Sequence, residues 1–362
     1  MRRTTKLDAP QTTILEGGTK DEIRISKEAL FNSTSLPNMR RAFTAIHRRS
    51  ENYNVKMTAS ATGTDSYHEL EESFVHDEIT KYFDDITLVG KGGFGSIYRA
   101  HANDTGMETM RPPPHPNGRL FALKKVHFDS ELAKTMLIDE IQNIKQSKLR
   151  SGVRYYGCFI DDATGRAWVV MSFITGLNLL DVVKTVKLTR HQKNDIAKKL
   201  AFAIVECHSH GIVHRDIKPA NVMITNLTSK TSDVLLVDFG LSCNISKCPI
   251  SPKCTRFRGS PGYFDIHDET RHGINAGDMT SLMRSDWWSY GQTIVFMYTK
   301  MELFVDDHTK VWSGDYGSLT APFLKHIPTR LHYMLSRLTD PSLSPLERPT
   351  PGEIIQSVTK SS

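Results

Sequence analysis

The chain has 362 residues, 39% hydrophobic and 24% charged, which is enough apolar material for one large two-lobed domain with extensions, or for two or three lobes. A formal net charge of +6 suits phosphate-bearing ligands without requiring nucleic acid, which is not expected as a partner. Five cysteines, an odd number with no C-x-x-C pair, exclude a secreted disulfide framework. MRRTTKLDAPQ is not followed by the apolar core of a signal peptide. The most apolar stretch, 167–183, is broken by Ser172, Thr175, Gly176, Asn178 and Asp181, so no transmembrane segment is expected. The expected location is intracellular and cytoplasmic, with the nucleus left open.

Residues 1–65 are polar and arginine-rich, and are expected to form a largely disordered basic arm. Within it, PNMRRAFTAIHRR sets Met39, Phe43 and Ile46 on one helical face, with Asn38 as a cap. That face is a candidate for docking a partner or a membrane surface; a short self-packing helix is the plainer reading. Residues 66–83 read as a helical extension, with Leu70, Phe74 and Tyr82 at helical spacing. The segments DITLVG, SIYRAH, RLFALKKVHF, VRYYGCFID and AWVVMSF then predict a small antiparallel sheet, interrupted by one helical pattern at 130–148. The insertion ANDTGMETMRPPPHPNG reads as a solvated loop, with a polyproline ligand as the alternative. Beyond Leu179 the chain reads as mainly helical, so the fold class is α+β.

Four short strings carry chemistry. Gly90-Lys91-Gly92-Gly93-Phe94-Gly95-Ser96-Ile97 lies between two strands. A dinucleotide fingerprint needs a helix to start in such a loop, whereas here strand continues, so the glycines open a hairpin whose backbone N–H groups can approach a triphosphate. In Phe121-Ala122-Leu123-Lys124, alternation puts Ala122 and Lys124 on one face and Lys125 on the other. Small Ala122 leaves room for a purine, and Lys124 can reach phosphate oxygens, with Glu140 as the anion that holds it. GIVHRDIKPANVMI combines a carboxylate (Asp216) to take an acceptor proton, an ammonium (Lys218) for the migrating phosphoryl group, and a carboxamide oxygen (Asn221) for Mg²⁺. Asp238, in Asp238-Phe239-Gly240, offers a second oxygen ligand to that metal.

In this order, and with Ser285-Asp286-Trp287-Trp288-Ser289-Tyr290-Gly291, the strings resemble the signature set of eukaryotic-type protein kinases over roughly residues 84–360. The resemblance implies a bilobal protein-kinase-like fold: an N-lobe (84–173) of antiparallel sheet with one helix, and a larger, mainly helical C-lobe (177–360). It implies ATP and Mg²⁺ as ligands and a protein substrate. Val89, Ile97, Ala122 and Met223 would enclose adenine, Met171 resembles the gatekeeper, and Ser172 to Thr175 resemble the hinge, with Phe173 and Ile174 against the purine. His214 and Phe239 resemble members of a hydrophobic spine, with Ile144 and Tyr155 as partners, and Asp286 resembles the aspartate that anchors the catalytic loop. Lys218 within IKPAN resembles serine/threonine kinases, and Leu241 suggests serine over threonine as acceptor. Arg215 implies switching by an activation-segment phosphate, at Thr255, or alternatively Ser246 or Ser251. Three N-lobe strings, GKGGFGSIY, FALKKV and VRYYGCFID, are similar to kinases acting on translation initiation factor 2α.

The departure from the family is Asp265-Ile266-His267 where Ala-Pro-Glu is usual, so Arg348 needs its anion from Asp265, Asp268 or Glu269. That departure also supports the alternative reading, a catalytically impaired scaffold. Cys243, Cys248 and Cys254 read as ordinary loop thiols before they read as a metal site.

Overall fold

The structure is a computed structural model that describes residues 79–92, 95–110, 118–135, 137–138, 141, 149–162, 164–228, 231–244, 259–265, 279–302 and 321–360. The basic arm, the pattern around Met39, and Leu70 and Phe74 lie outside the described residues. No helix among the described residues is long and apolar enough to cross a membrane.

Five strands form one antiparallel sheet in the order β1-β2-β3-β5-β4: β1 (Phe83–Gly92), β2 (Gly95–Ala102), β3 (Leu120–His127), β4 (Tyr155–Asp161) and β5 (Arg166–Ser172). Side chains alternate as the sequence requires. Ala122, Val169 and Met171 point into the large core shared with the helical lobe, while Phe121, Leu123 and Val170 point into a second, smaller core. Lys125 stands on that second face with its ammonium 4.9 Å from the centre of the Trp168 ring.

The second core is covered by the chain's own insertion. Residues expected as a loop instead form α1 (Asp104–Met110), which buries Gly106 and Met110. Asn103 caps it, its side-chain oxygen accepting from the Gly106 N–H at 3.0 Å. The Asn103 amide also donates to the Lys81 carbonyl at 3.0 Å, tying α1 to the 3₁₀ turn Ile79–Lys81. Of the expected extension at 66–83, only residues 79–83 are described, and Phe83 already belongs to β1. The proline run at 112–116 lies outside the described residues. Helix is present at 131–135, 137–138 and 141, within the pattern expected at 130–148.

The helical lobe contains α2 (Leu179–Thr185), α3 (Arg190–Ser209), α4 (Met279–Thr299), α5 (Ala321–Leu324), α6 (Thr329–Leu338) and α7 (Pro351–Thr359). Helices α3 and α7 open on reciprocal capping boxes, Thr189 with Gln192 and Thr350 with Glu353. Helix α4 is buried around its circumference, with Trp287, Trp288, Tyr290 and Ile294 inaccessible to solvent, as expected of a central helix. Short strands complete the lobe: β6 (Leu177–Asn178), β8 (Val222–Thr225) and β9 (Asp233–Leu236) form one sheet, β7 (Ile212–Val213) and β10 (Cys243–Asn244) another. Between β7 and β8, and just after β9, sit the polar strings of the site.

Candidate active site

The loop after β7 is held from beneath by α4. Asp286, fully buried, accepts the backbone N–H groups of His214 at 2.8 Å and Arg215 at 2.7 Å, and the His208 ring at 2.9 Å. Burial alone would raise its carboxyl, but His208 and the Arg215 amide outweigh this and hold it below the usual carboxylate value. With these anchors Arg215 tolerates φ of 66°, a left-handed conformation that costs free energy for a non-glycine residue. The His214 ring meets the backbone N–H of Asp216 at Nδ1 (3.3 Å) and the Val237 carbonyl at Nε2 (3.1 Å). An amide only donates and a carbonyl only accepts, so the tautomer is Nε2–H. The same ring packs on Phe239 with centroids 4.7 Å apart; Tyr155 is half-buried against the large core, and Ile144, the other expected spine partner, lies outside the described residues.

Asp216 is buried, and both its oxygens are engaged. Oδ2 accepts from Lys218 Nζ at 2.9 Å and Asn221 Nδ2 at 2.8 Å, and Oδ1 accepts from Ser260 Oγ at 2.7 Å. Lys218 also donates to Ser260 Oγ at 2.5 Å. Ser260 is therefore a site residue that the sequence reading passed over. Asn221 Nδ2 additionally donates to the Asp216 carbonyl at 2.8 Å, which fixes the amide so that its oxygen turns the other way.

Asp238 follows β9 in a left-handed conformation, φ 62°, that swings its carboxylate toward the sheet. Lys124, buried on β3, donates to Asp238 Oδ1 at 3.0 Å. Burial raises the Asp238 carboxyl, but Lys124 and, less strongly, Lys218 outweigh it, so the group lies below its ordinary value and stays ionised. Glu140, the expected partner of Lys124, lies outside the described residues.

The donor set fits a hard cation bound with phosphates. Among the described residues the second oxygen of Asp238 and the carboxamide oxygen of Asn221 accept no hydrogen bond, and both are the oxygen type Mg²⁺ prefers. Gly90 is exposed, with nothing within 4 Å of where a Cβ would stand, leaving space beside the hairpin. Gly95 is required for a different reason: its φ is 130°, and a Cβ would lie 2.2 Å from the Lys125 carbonyl. Lys91 pairs with Ser96 and Gly92 with Gly95 across the hairpin; Gly93 and Phe94 lie outside the described residues.

Of the expected adenine-side residues, Ala122 and Met171 are register partners in neighbouring strands. Ile97, Phe173 and Ile174 pack against the large core. Met223 is half-buried on β8, and Val89 is 57% exposed on β1.

The departure at Asp265 resolves within the structure. Arg348 makes a two-pronged ion pair with it, Nη2 to Oδ1 at 3.0 Å and Nη1 to Oδ2, both side chains buried. The guanidinium also lies 4.3 Å from the centre of the Trp288 ring. Asp265 thus supplies the anion; Ile266, His267, Asp268 and Glu269 lie outside the described residues, as do Ser246, Ser251, Thr255, Cys248 and Cys254. Cys243 is buried, and no metal-holding cluster of histidine, cysteine or acidic residues occurs among the described residues.

Sheet and helical lobe thus define a bilobal α+β protein whose polar groups converge where the two meet. The protein kinase domain family matches residues 83–358, and the chain belongs to that family. It is similar to the serine/threonine-protein kinase SMU1 of Mycosarcoma maydis, 28% identical over 59% of this chain and 25% of that protein. It is also similar to the serine/threonine-protein kinase sid1 of Schizosaccharomyces pombe, 27% identical over 59% of this chain and 40% of that protein. A third relative is the probable serine/threonine-protein kinase zyg-1 of Caenorhabditis briggsae, 30% identical over 55% of this chain and 26% of that protein. The chain therefore spans between a quarter and two-fifths of the length of these relatives.

Proposed function

We propose that this chain is a serine/threonine protein kinase that transfers the γ-phosphoryl group of ATP to a protein hydroxyl. The observation that carries the reading is the convergence of Asp216, Lys218 and Asn221 with the Lys124–Asp238 pair. Asp216 orients the acceptor hydroxyl and takes its proton as the hydroxyl oxygen bonds to the γ-phosphorus and the bond to ADP's bridging oxygen breaks. Lys218 offsets the charge on the migrating group, and Lys124 holds the non-transferred phosphates. Asn221 and Asp238 would hold Mg²⁺, which when bound neutralises phosphate charge and fixes its orientation. The hairpin from Gly90 to Ile97 would cover the phosphates; Val89, Ala122, Met171 and Met223 would flank the base, with the backbone of Phe173 and Ile174 at its edge. Serine or threonine as acceptor is supported by the names of the relatives and by Lys218 in its IKPAN context.

The alternative, a scaffold that binds nucleotide without transfer, drew on the altered Asp265–His267 segment. The Asp265–Arg348 pair removes that motive for residue 265. The test is incubation with Mg-ATP and a generic basic protein, beside Asp216→Asn and Lys124→Met. Phosphate incorporation should fall at least 100-fold in both variants, the scale of positioned acid–base catalysis. Equal incorporation by all three proteins would reject the proposal.

A further inference from the structure

A hollow of about 360 Å³ opens in the helical lobe, outside the polar cluster around Asp216, where the start of α3, the end of α4 and the turn before α6 meet. Its wall carries Arg190, Lys193, Lys325 and His326, and among the described residues no aspartate or glutamate. Arg190 and Lys193 stand in the first turn of α3, which holds no acidic residue. Cations there oppose the positive end of the helix dipole, an arrangement that an anion would relieve. Helix α6 opens into the same wall at Thr329, with Pro328 at its cap position and no side chain capping its first turn. The uncapped first turn of α6 and four basic side chains therefore converge on one space, whereas α3, closed by its own capping box, contributes its basic residues.

Lys193 is held in place. Its Nζ donates to the Tyr298 carbonyl at 3.3 Å and stands 5.3 Å from the centre of the Tyr298 ring. It is half-buried, and burial first, then the field of Lys300, pull it below the ordinary lysine value. Elsewhere in the chain, Lys124, Lys199, Lys218 and Arg348 each face an aspartate. Lys193 faces none among the described residues, so a fixed, partly desolvated cation lacks its counter-charge.

We propose that this hollow docks a phosphorylated serine or threonine side chain carried on a peptide. A phosphomonoester near neutral pH brings close to two negative charges and three acceptor oxygens, enough to engage several of these cations and the open first turn of α6 at once. A bare phosphate ion would leave much of the hollow unfilled, whereas Leu188 and Ile327 give an apolar wall to a residue flanking the phosphate. The assignment does not depend on phosphoryl transfer at Asp216.

The test uses the full chain with its nucleotide site saturated by a non-hydrolysable ATP analogue and magnesium. Fluorescence anisotropy would compare a labelled degenerate peptide pool centred on phosphoserine with the same pool centred on serine. The phosphorylated pool should bind at least about tenfold tighter, equivalent to about 1.4 kcal/mol, and should weaken as salt rises. Lys193→Met and Lys325→Glu should each weaken that binding about tenfold; Lys325 is exposed, so its replacement leaves the fold intact if the buried stem of Lys193 proves necessary. Equal binding of the two pools, or unchanged binding by both variants, overturns the proposal. Competition by inorganic phosphate at the same concentration as the phosphopeptide also overturns it, since the hollow would then take free anions. Phosphopeptide binding that survives in Asp216→Asn supports the site even if transfer to the basic protein is absent.

Discussion

Ser260 sits between two charged groups and touches both, accepting from Lys218 and donating to Asp216. Hydrogen bonds to charged partners contribute about 1.5–3 kcal/mol each. Ser260→Ala should therefore lower kcat by roughly tenfold or more, and Ser260→Thr should restore the rate. An alanine variant with wild-type kcat would show that Asp216 is positioned without it. Asp265 is the structural counterpart: Asp265→Asn strips Arg348 of its anion in a buried position and should cost about 3–5 kcal/mol in urea unfolding. The two positions also show what the sequence could reveal. Asp216, Lys218 and Asn221 lie within six consecutive positions, and strand alternation alone placed Lys124 beside Ala122. Ser260 meets Asp216 from 44 residues away and carries no local signal of that meeting. Three acids stood near enough in sequence to serve Arg348, and only the folded chain selects Asp265.

At the scale of elements, the least legible part of the fold was α1. Seven residues are too few to display a hydrophobic period, and the prolines that follow point to a loop. The cap was the available cue: Asn103 three residues before Gly106, with Met107 and Met110 beyond, is a helix start on a small scale. The helix packs so closely on the turn at Tyr82 that a Cβ on Gly106 would lie 2.2 Å from the Tyr82 carbonyl. Gly106→Ala should destabilise by about 1–3 kcal/mol, the usual cost of overpacking. Chemical denaturation is the measurement, and an unchanged midpoint would mean that α1 does not bear on the sheet. A second tie went unread because it looks like a surface charge in a helix. Glu206 of α3 is buried and accepts the backbone N–H groups of Arg150 at 2.9 Å and Ser151 at 3.0 Å. Ser151 in turn accepts the Leu236 amide at 2.8 Å, two residues before Asp238. The turn leading into β4 is thereby fastened to the same helical scaffold that carries the loop of Asp216.

For the molecule as a whole, Asp238 ties the helical lobe to the sheet through Lys124, while Asp286 acts inside the helical lobe, and both carboxylates are more acidic than usual. Asp238 and Asp286 both lie below their ordinary values. Folding then binds fewer protons than the unfolded chain near pH 4, so their contribution to stability is present above the unfolded aspartate value of about 3.9 and is lost as pH falls through the depressed folded values. The melting temperature should hold from neutral pH to about 5 and fall steeply below about 4, with a shallower acid limb in Asp286→Asn. The same charge on Asp238 governs ligand linkage. In the state described, Lys124 is its counter-ion across the lobes, while its second oxygen and that of Asn221 remain open to a cation. A ligand bound only by the folded chain at 100 times its Kd stabilises by about 2.7 kcal/mol, several degrees for a domain of this size. An ATP analogue should therefore raise the melting temperature by several degrees with magnesium and much less without it. Lys124→Met should lose most of the shift in either condition. Asp238→Asn should keep the small magnesium-free shift and lose the increment that magnesium adds, because the carboxamide brings no charge to the cation. A shift of the same size in wild type with and without magnesium would separate nucleotide binding from the Asn221–Asp238 pair, and the metal assignment would fall.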